Sequence, residues 1–426
     1  MPQSVAFRHR QCPLRPVVLR AATTVIAVAL ALLAIVVAPP DVFAGGWLQQ
    51  ASGTTSSFRA IDFADASHGW AVGEAGLVRA MANGGAAWAP QTSGVSQELY
   101  GVAFADVSHG WAVGEGGVVV ATVNGGAGWE AQTSGTFSTL YGVAAAGSSH
   151  AWAVGMGGTI VATANAGAMW DGQASPTTQH LTAVTFVDAL HGWAVGHAGV
   201  ILATANGGAS WQAQASGTSA ELTDVSFVDA SHGWAVGAGG VILSTVDGGV
   251  HWTPQSAGAA FTWRLSGVDA ADASHAWAVA EWGRIIATED GGATWTAQTS
   301  GTDRSLAGVV FTDATHGWAC GQFGTILVTT TGGVSPPPLA KAPLITKVSP
   351  TAARRGAVVT LTGKYFGAKR GKSSVRFGGK TCAKYLSWSA TRIRCKVPGK
   401  AAVGTVKVTV KTAAGTSNVK KLRVKR

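Results

Sequence analysis

Residues 99–132, LYGVAFADVSHGWAVGEGGVVVATVNGGAGWEAQ, read as four short strand-like runs separated by turn signals. Small and branched residues from Leu99 to Phe104 suit a first, innermost strand. Asp106-Val107-Ser108-His109-Gly110 turns the chain into Trp111-Ala112-Val113-Gly114, and Gly116-Gly117 turns it again into a run from Val118 to Thr122. Asn124-Gly125-Gly126 then leads into an outer strand from Trp129 to Gln132. Asn-Gly between two strand-like runs is a strong hairpin signal, because both turn positions need positive φ.

The pattern repeats along most of the chain. The hexapeptide H-[GA]-W-A-[VC]-[GA] returns at His68, His109, His150, His191, His232, His275 and His316, with spacings of 41, 41, 41, 41, 43 and 41 residues. A second signal, G-G-x-x-W or a close variant, ends at Trp88, Trp129, Trp170, Trp211, Trp252 and Trp295. A period of about 40 residues built from four short strands is the mark of propeller blades. The seventh copy of the second signal is split. Thr331-Gly332-Gly333 has no tryptophan after it, while Gly45-Gly46-Trp47 stands 41 residues before Trp88. The expected fold is therefore all-β: a seven-bladed β-propeller whose N-terminal strand completes the last blade and leaves no open sheet edge.

Charge divides the chain. Of its 426 residues, 45–333 hold five Arg, no Lys and twenty acidic residues, so 5 − 20 = −15. Residues 343–426 hold twenty-one Lys plus Arg and no acid, giving +21. Such an asymmetry implies separate domains with separate partners. Between them, residues 334–342 include Ser335-Pro336-Pro337-Pro338 and read as a stiff linker. Short alternating runs at Thr360–Gly363, Val375–Gly379, Ile393–Pro398 and Val406–Lys411 read as a small β-sandwich.

At the N-terminus, Arg8, Arg10, Arg15 and Arg20 precede eighteen uncharged residues, Ala21 to Ala38, and then Val42-Phe43-Ala44. This is the layout of a signal peptide over residues 1–44, cut after Ala44. The apolar run is also long enough to serve as an uncleaved anchor. Either way the expected location is secreted or attached to the cell envelope, on the outer side of the membrane.

Two repeated polar motifs invite catalytic readings. Asp247 and Asp290 fill a turn position that Asn83, Asn124, Asn165 and Asn206 fill elsewhere, and Asn shares the turn role but not acid chemistry. Asp65, Asp106, Asp188, Asp229, Asp272 and Asp313 each lie three residues before a His, with Gly147 breaking the series in the third blade. Six copies around a ring cannot all be one active site, and a buried Asp–His bond pinning each turn accounts for them. No metal site, cofactor or catalytic residue is expected.

The T-x-[ND]-G-G-x-x-W element, as in Thr122 to Trp129 and Thr245 to Trp252, resembles the Asp-box of bacterial-neuraminidase-type (BNR) repeats. Taken with L-x-x-V-x-F-x-D and H-G-W-A-V-G in the same order, residues 45–333 resemble the seven-bladed propellers of the photosystem II assembly and stability factor family. That resemblance implies a non-enzymatic protein that holds a partner. Residues 343–426 resemble an IPT/TIG domain, an immunoglobulin-like sandwich, on Ser349-Pro350-Thr351, Val359–Gly363, Phe366-Gly367, Val375–Gly379 and Ile393 to Pro398. Cys382 and Cys395, on neighbouring strand-like runs of an exported domain, are expected to form a disulfide of the kind found in such modules. Cys320 replaces a repeat valine and is expected to be a free, buried thiol.

Comparison of the repeats with one another separates scaffold from site. The two turn motifs lie on one face and are nearly uniform. Loops on the other face vary, as recognition loops on a rigid scaffold do, and as drifting solvent-exposed loops also do. Blade six departs furthest, with a two-residue insertion and with Trp263, Arg264, Glu281, Trp282 and Arg284. Aromatic and arginine residues together are the usual composition of a protein-binding patch, and an aromatic platform for a glycan competes with that reading. A carbohydrate-active enzyme is the main rival, since Glu74, Glu115 and Glu281 occupy equivalent loops and a glycosidase needs two facing carboxylates. The expected protein is a monomeric binder or scaffold. Its propeller takes a protein or glycan, and its basic domain takes anionic lipid or wall polymer without reading nucleic-acid sequence.

Overall fold

The computed structural model describes residues 46–334 and 341–426, apart from Asn83, Gly85, Ala86, Ala259, Ala260 and Ala383. The expected signal segment, residues 1–44, and Ser335 to Pro338 of the linker lie outside the described residues. Seven four-stranded antiparallel sheets follow one another from Leu48 to Thr329. Their inner strands are Phe58–Asp65, Leu99–Phe104, Leu140–Ala146, Leu181–Phe186, Leu222–Phe227, Leu265–Ala270 and Leu306–Phe311. The seventh blade takes its outer strand from the start of the chain. Leu48, Gln49 and Gln50 pair with Val328, Leu327 and Ile326.

A ring of side-chain hydrogen bonds shows how complete the closure is. Each outer tryptophan donates its indole N–H to a glutamine on the outer strand of the preceding blade. Trp129 bonds Gln91, Trp170 bonds Gln132, Trp211 bonds Gln173, Trp252 bonds Gln214 and Trp295 bonds Gln255. The N-terminal strand supplies both remaining links, Trp47 to Gln298 at 2.8 Å and Trp88 to Gln50 at 2.9 Å. Trp47 is 1% exposed and meets the Phe311 ring edge-on.

The inner tryptophans pack between blades. Trp70 stacks on Phe104 with ring centroids 3.4 Å apart, and Trp152, Trp193, Trp277 and Trp318 stack likewise on Phe186, Phe227, Phe311 and Phe63. This packing explains the variable second letter of the hexapeptide. A Cβ on Gly69, paired opposite Phe63, would come within 2.3 Å of that ring. Where the phenylalanine is replaced by Ala145 or Ala270, the facing glycine becomes Ala151 or Ala276. Contact at this density tolerates a methyl only where a ring has been removed.

The Asp-x-x-His turns are pinned as expected, but at the surface and not in the core. The Asp65 carboxylate accepts the Ser67 and His68 amides and contacts His68 Nδ1 at 3.0 Å, with both side chains at least 40% exposed. Hairpin tips sit at the rim of a blade, where nothing covers them. In the third blade, which lacks the aspartate, Ser149 Oγ takes over as the partner of His150 Nδ1.

Three inner-strand carboxyls tie neighbouring blades together. Asp62 accepts the Phe104 amide, Asp224 accepts the Val268 amide, and Asp269 accepts the Phe311 amide and the Ser226 hydroxyl. Burial raises all three acids, Asp224 and Asp269 to about 7, and the Asp224 charge adds to the rise at Asp269. Because the folded-state values of Asp224 and Asp269 exceed the ordinary carboxylate value of about 4, the stability these two provide is complete below that pH and is lost as pH rises through about 7. The melting temperature should fall between pH 5 and pH 8, and D224N/D269N should flatten that slope. An unchanged slope in the double variant would rule out these two groups as its source.

The C-terminal domain is a sandwich of two sheets. One has the strand order Leu344–Ser349, Val358–Lys364, Arg392–Lys396, Tyr385–Trp388. The other runs Ala352–Arg354, Lys420–Lys425, Gly404–Thr412, Ser374–Phe377, Lys380–Thr381, with Gly415–Thr416 beside Gly404–Thr412. Ile345, Val359, Leu361, Phe377, Val408 and Leu422 are among the residues of its core. The two cysteines expected to pair, Cys382 and Cys395, are buried and in side-chain contact, here as free thiols, and the Cys382 thiol also faces the carbonyls of Lys384 and Lys396. Cys320 is free and buried as expected, and burial pushes its thiol up to about 12.

Candidate functional site

In a four-stranded meander, the connections between strands one and two and between three and four share one face of the propeller. The remaining connections share the other. On the first face the Asp-box turns are structural. Asn124 Oδ1 accepts the Thr122 hydroxyl and the Gly128 amide, and Asp247 Oδ1 accepts the Thr245 hydroxyl and the His251 amide in the same way. The His251 amide is the first of the contacts that hold Asp247 at about 2. A carboxylate that stays ionised this firmly is no general acid near neutral pH.

On the other face, each blade passes from its second to its third strand through a three-residue 3-10 turn whose middle residue has positive φ. That position is Ala75, Gly116, Gly157, Ala198 and Gly239 in blades one to five, but Trp282 in blade six and Phe323 in blade seven. A left-handed backbone disfavours bulky side chains and is retained where something other than folding stability requires it. Burial is not the compensation here, since Trp282 is 62% exposed and Phe323 60% exposed. Arginines stand beside both blades' aromatics, with the Arg284 guanidinium 4.4 Å from the Trp263 ring and that of Arg304 4.6 Å from Phe323.

Arg264 does not join this aromatic group. It turns toward blade five, where both arms of its guanidinium bond the Glu221 carboxylate. His197 Nε2 lies 3.3 Å from the same carboxylate, and the His180 ring packs edge-on against His197 at 4.9 Å. The Gly157 amide donates to His180 Nδ1. A polar chain thus runs from Gly157 in blade three through His180, His197 and Glu221 to Arg264 at the start of blade six. The Arg264 guanidinium, with a smaller contribution from His197, holds the Glu221 carboxyl below the usual range.

Seven inner strands surround a central channel of about 230 Å³, with Arg59, Tyr100, Tyr141, Thr182, Thr223 and Ser266 among its lining residues. On the blade one and two side, Glu98 bonds both the Arg59 guanidinium and the Tyr100 hydroxyl. Burial, reinforced by Glu98, pushes Tyr100 up to about 12, so it keeps its proton as a donor. Glu74 accepts the Ser57 amide and lies 3.8 Å from Arg59; these contacts, the amide first, lower its carboxyl.

Of the expected site residues, the structure joins Trp263 with Arg284, exposes Trp282, sends Arg264 to Glu221, and leaves Glu281 at the head of the same turn as Trp282. Sequence reading did not single out Phe323 with Arg304, or the acceptor role of Glu221. The positive-φ position was visible in the repeats, since glycine fills it in three blades, and an aromatic there is the signal that would have found Phe323. Glu74, Glu115 and Glu281 stand in blades one, two and six, so the last two lie three blades apart around the ring. Among the described residues no group of three His, Cys, Asp or Glu side chains is placed to hold a metal ion.

Comparison with known proteins covers both parts of the chain. The family model described as photosynthesis system II assembly factor YCF48 matches residues 41–174 and 210–301, and the IPT/TIG domain model matches 343–423. The structure of YCF48 bound to D1 peptide is 22% identical, covers 67% of this chain and 97% of its own, and superposes with a TM-score of 0.58. YCF48 from Cyanidioschyzon merolae is 23% identical, with 67% and 98% covered and a TM-score of 0.57. A GH74 xyloglucanase from Xanthomonas campestris is 11% identical, with 89% and 75% covered and a TM-score of 0.55. At these identities the likeness is one of fold. Cyclomaltodextrin glucanotransferase from Paenibacillus macerans is 39% identical over 77 residues, which make up 18% of this chain and 11% of that enzyme.

Proposed function

The chain belongs to the photosynthesis system II assembly factor YCF48 family, and from that membership we propose that it is an exported, non-enzymatic binding protein whose propeller captures a protein segment on its variable face. The observation that carries this reading is the pair of exposed aromatics, Trp282 and Phe323, held at strained turn positions, with Arg304 stacked on Phe323 and Arg284, two residues after Trp282, stacked on Trp263. Aromatic and arginine side chains supply most of the binding energy in protein interfaces. A YCF48 propeller of the same architecture has been solved with a D1 peptide. The basic sandwich tethers the propeller to an anionic surface, and the N-terminal segment 1–44 directs export.

A glycosidase reading draws on the xyloglucanase neighbour and on the same aromatic surface. Against it, Glu74 and Glu221 are each paired with an arginine and their carboxyls are held below the usual range, which favours ionised carboxylates over proton donors. Selection of peptides from a random display library by residues 45–426, with a glycan array and a xyloglucan hydrolysis assay in parallel, separates the readings. Enriched peptides are the expected result. Binding to glycans alone, or release of sugar, would overturn the proposal.

A further inference from the structure

The tethering role proposed above can be given a surface. In the strand Gly404–Thr412, Val406, Val408 and Val410 face the sandwich core while Lys407 and Lys411 are exposed. In the neighbouring strand Lys420–Lys425, Leu422 and Val424 face the core while Lys421, Arg423 and Lys425 are exposed. The register sets Lys407 directly opposite Lys421 and Thr405 opposite Arg423. On the far side, Arg376 is exposed and pairs with Thr409, and Ser374 pairs with Lys411. Arg354 on the edge strand is exposed opposite Lys425, so seven cations project from one sheet face. Lys421, Arg423 and Lys425 stand roughly 7 Å apart along their strand, two residues at about 3.4 Å each, Lys407 and Lys411 about twice as far along theirs, and Lys407 lies roughly 5 Å across from Lys421.

Like charges directly opposite on a sheet are destabilising, and residues 343–426 contain no acid to neutralise them. The opposite sheet is built differently: its exposed Arg392 and Arg394 pair with Thr362 and Thr360. A patch that costs stability and spaces its cations in rows calls for an external polyanion. We propose that the outer face of the Gly404–Thr412 sheet docks an extended, phosphate-bearing polymer lying along the strands.

Two features favour a polymer over a bilayer. Lysine point charges and arginine forks both suit phosphate oxygens, and a row of cations along an extended strand matches a chain of repeating charges. A membrane-binding surface normally adds apolar side chains that enter the lipid. Among the described residues, none of the exposed large apolar side chains lies within the two basic strands: Leu344, Tyr365 and Leu386 belong to or adjoin the other sheet, and Val403 and Val419 come just before Gly404–Thr412 and Lys420–Lys425.

The test uses residues 45–426, long-chain inorganic polyphosphate, and vesicles of phosphatidylglycerol and phosphatidylcholine, titrated from 50 to 200 mM salt. Two charge-matched variants are compared after their melting curves are checked: K407E/K421E/R423E on the proposed face, and K364E/R392E/R394E on the other. The first should lose at least tenfold in polyphosphate affinity and about two units of salt slope, at roughly 0.7 per contact for a single-stranded polyanion. The second should change less than threefold. Equal losses in both variants would overturn the face while leaving a diffuse tether intact. Tight vesicle binding without polyphosphate binding would replace the polymer by a membrane. No binding to either probe at 50 mM salt would remove the tethering role itself.

Discussion

A chain beginning at Ala51 should unfold far more readily than one beginning at Gly45, with a loss of about 3–5 kcal/mol from the buried tryptophan alone. Trp47 is 1% exposed and fills the site between blades six and seven. Its removal also takes the indole N–H away from Gln298 Oε1, strips the outer strand from Ile326–Thr329, and takes away Gln50, the acceptor of the Trp88 indole N–H. The ring of tryptophan–glutamine bonds would open at two adjacent links. A newly bared edge strand is a template for pairing with another copy, so the shortened chain should also aggregate as it melts. Melting temperature is the readout, with a fall of roughly 10 °C expected for a domain of this size. Trp47→Ala in the longer chain separates loss of the side chain from loss of the strand. Equal melting temperatures for all three proteins would mean that the N-terminal strand does not close the propeller.

Closure was readable in the sequence because the repeat is nearly exact: a motif missing from one end reappears at the other in phase. The blades were readable for the same reason, since a hairpin turn and a buried tryptophan are local features that each repeat restates. Even the exchange of glycine for alanine at Ala151 and Ala276 has a local cause, the paired loss of a phenylalanine at Ala145 and Ala270. The site was less readable because its contacts run between repeats. Arg264 is followed in sequence by an inner strand, yet its partner is Glu221, 43 residues earlier. Composition placed Trp263, Arg264 and Trp282 together, whereas the fold divides them between a salt bridge, a cation–π contact and an exposed ring. The Asp–His pairs were read as buried because a repeated hydrogen bond resembles a core feature. Hairpin tips at a propeller rim have nothing above them, and the pairs stay wet.

Replacing Trp282 and Phe323 by glycine should raise stability and lower binding at once. Both residues hold left-handed backbone, at φ 59° and 55°, where glycine stands in three of the other five blades. Relief of that strain is worth about 1 kcal/mol or more per site. Little packing is lost in return, because the rings are 62% and 60% exposed. A side chain kept for folding would show the opposite sign, since its removal would lower the melting temperature. If the rings are kept for recognition, W282G/F323G should melt higher and bind selected peptides at least tenfold more weakly, about 1.4 kcal/mol. Arg304, stacked on Phe323, gives an internal check: Phe323→Gly alone should free that guanidinium and make binding more sensitive to salt. W263A/R264A/W282A should weaken binding by a similar factor, but Arg264→Ala removes the two-armed arginine contact from the Glu221 carboxylate and leaves it only His197, so it should not share the gain in stability. Peptide affinity unchanged in W282G/F323G would move the search to the polar chain of His180, His197 and Glu221. A fall in both stability and binding would assign the aromatics to the scaffold.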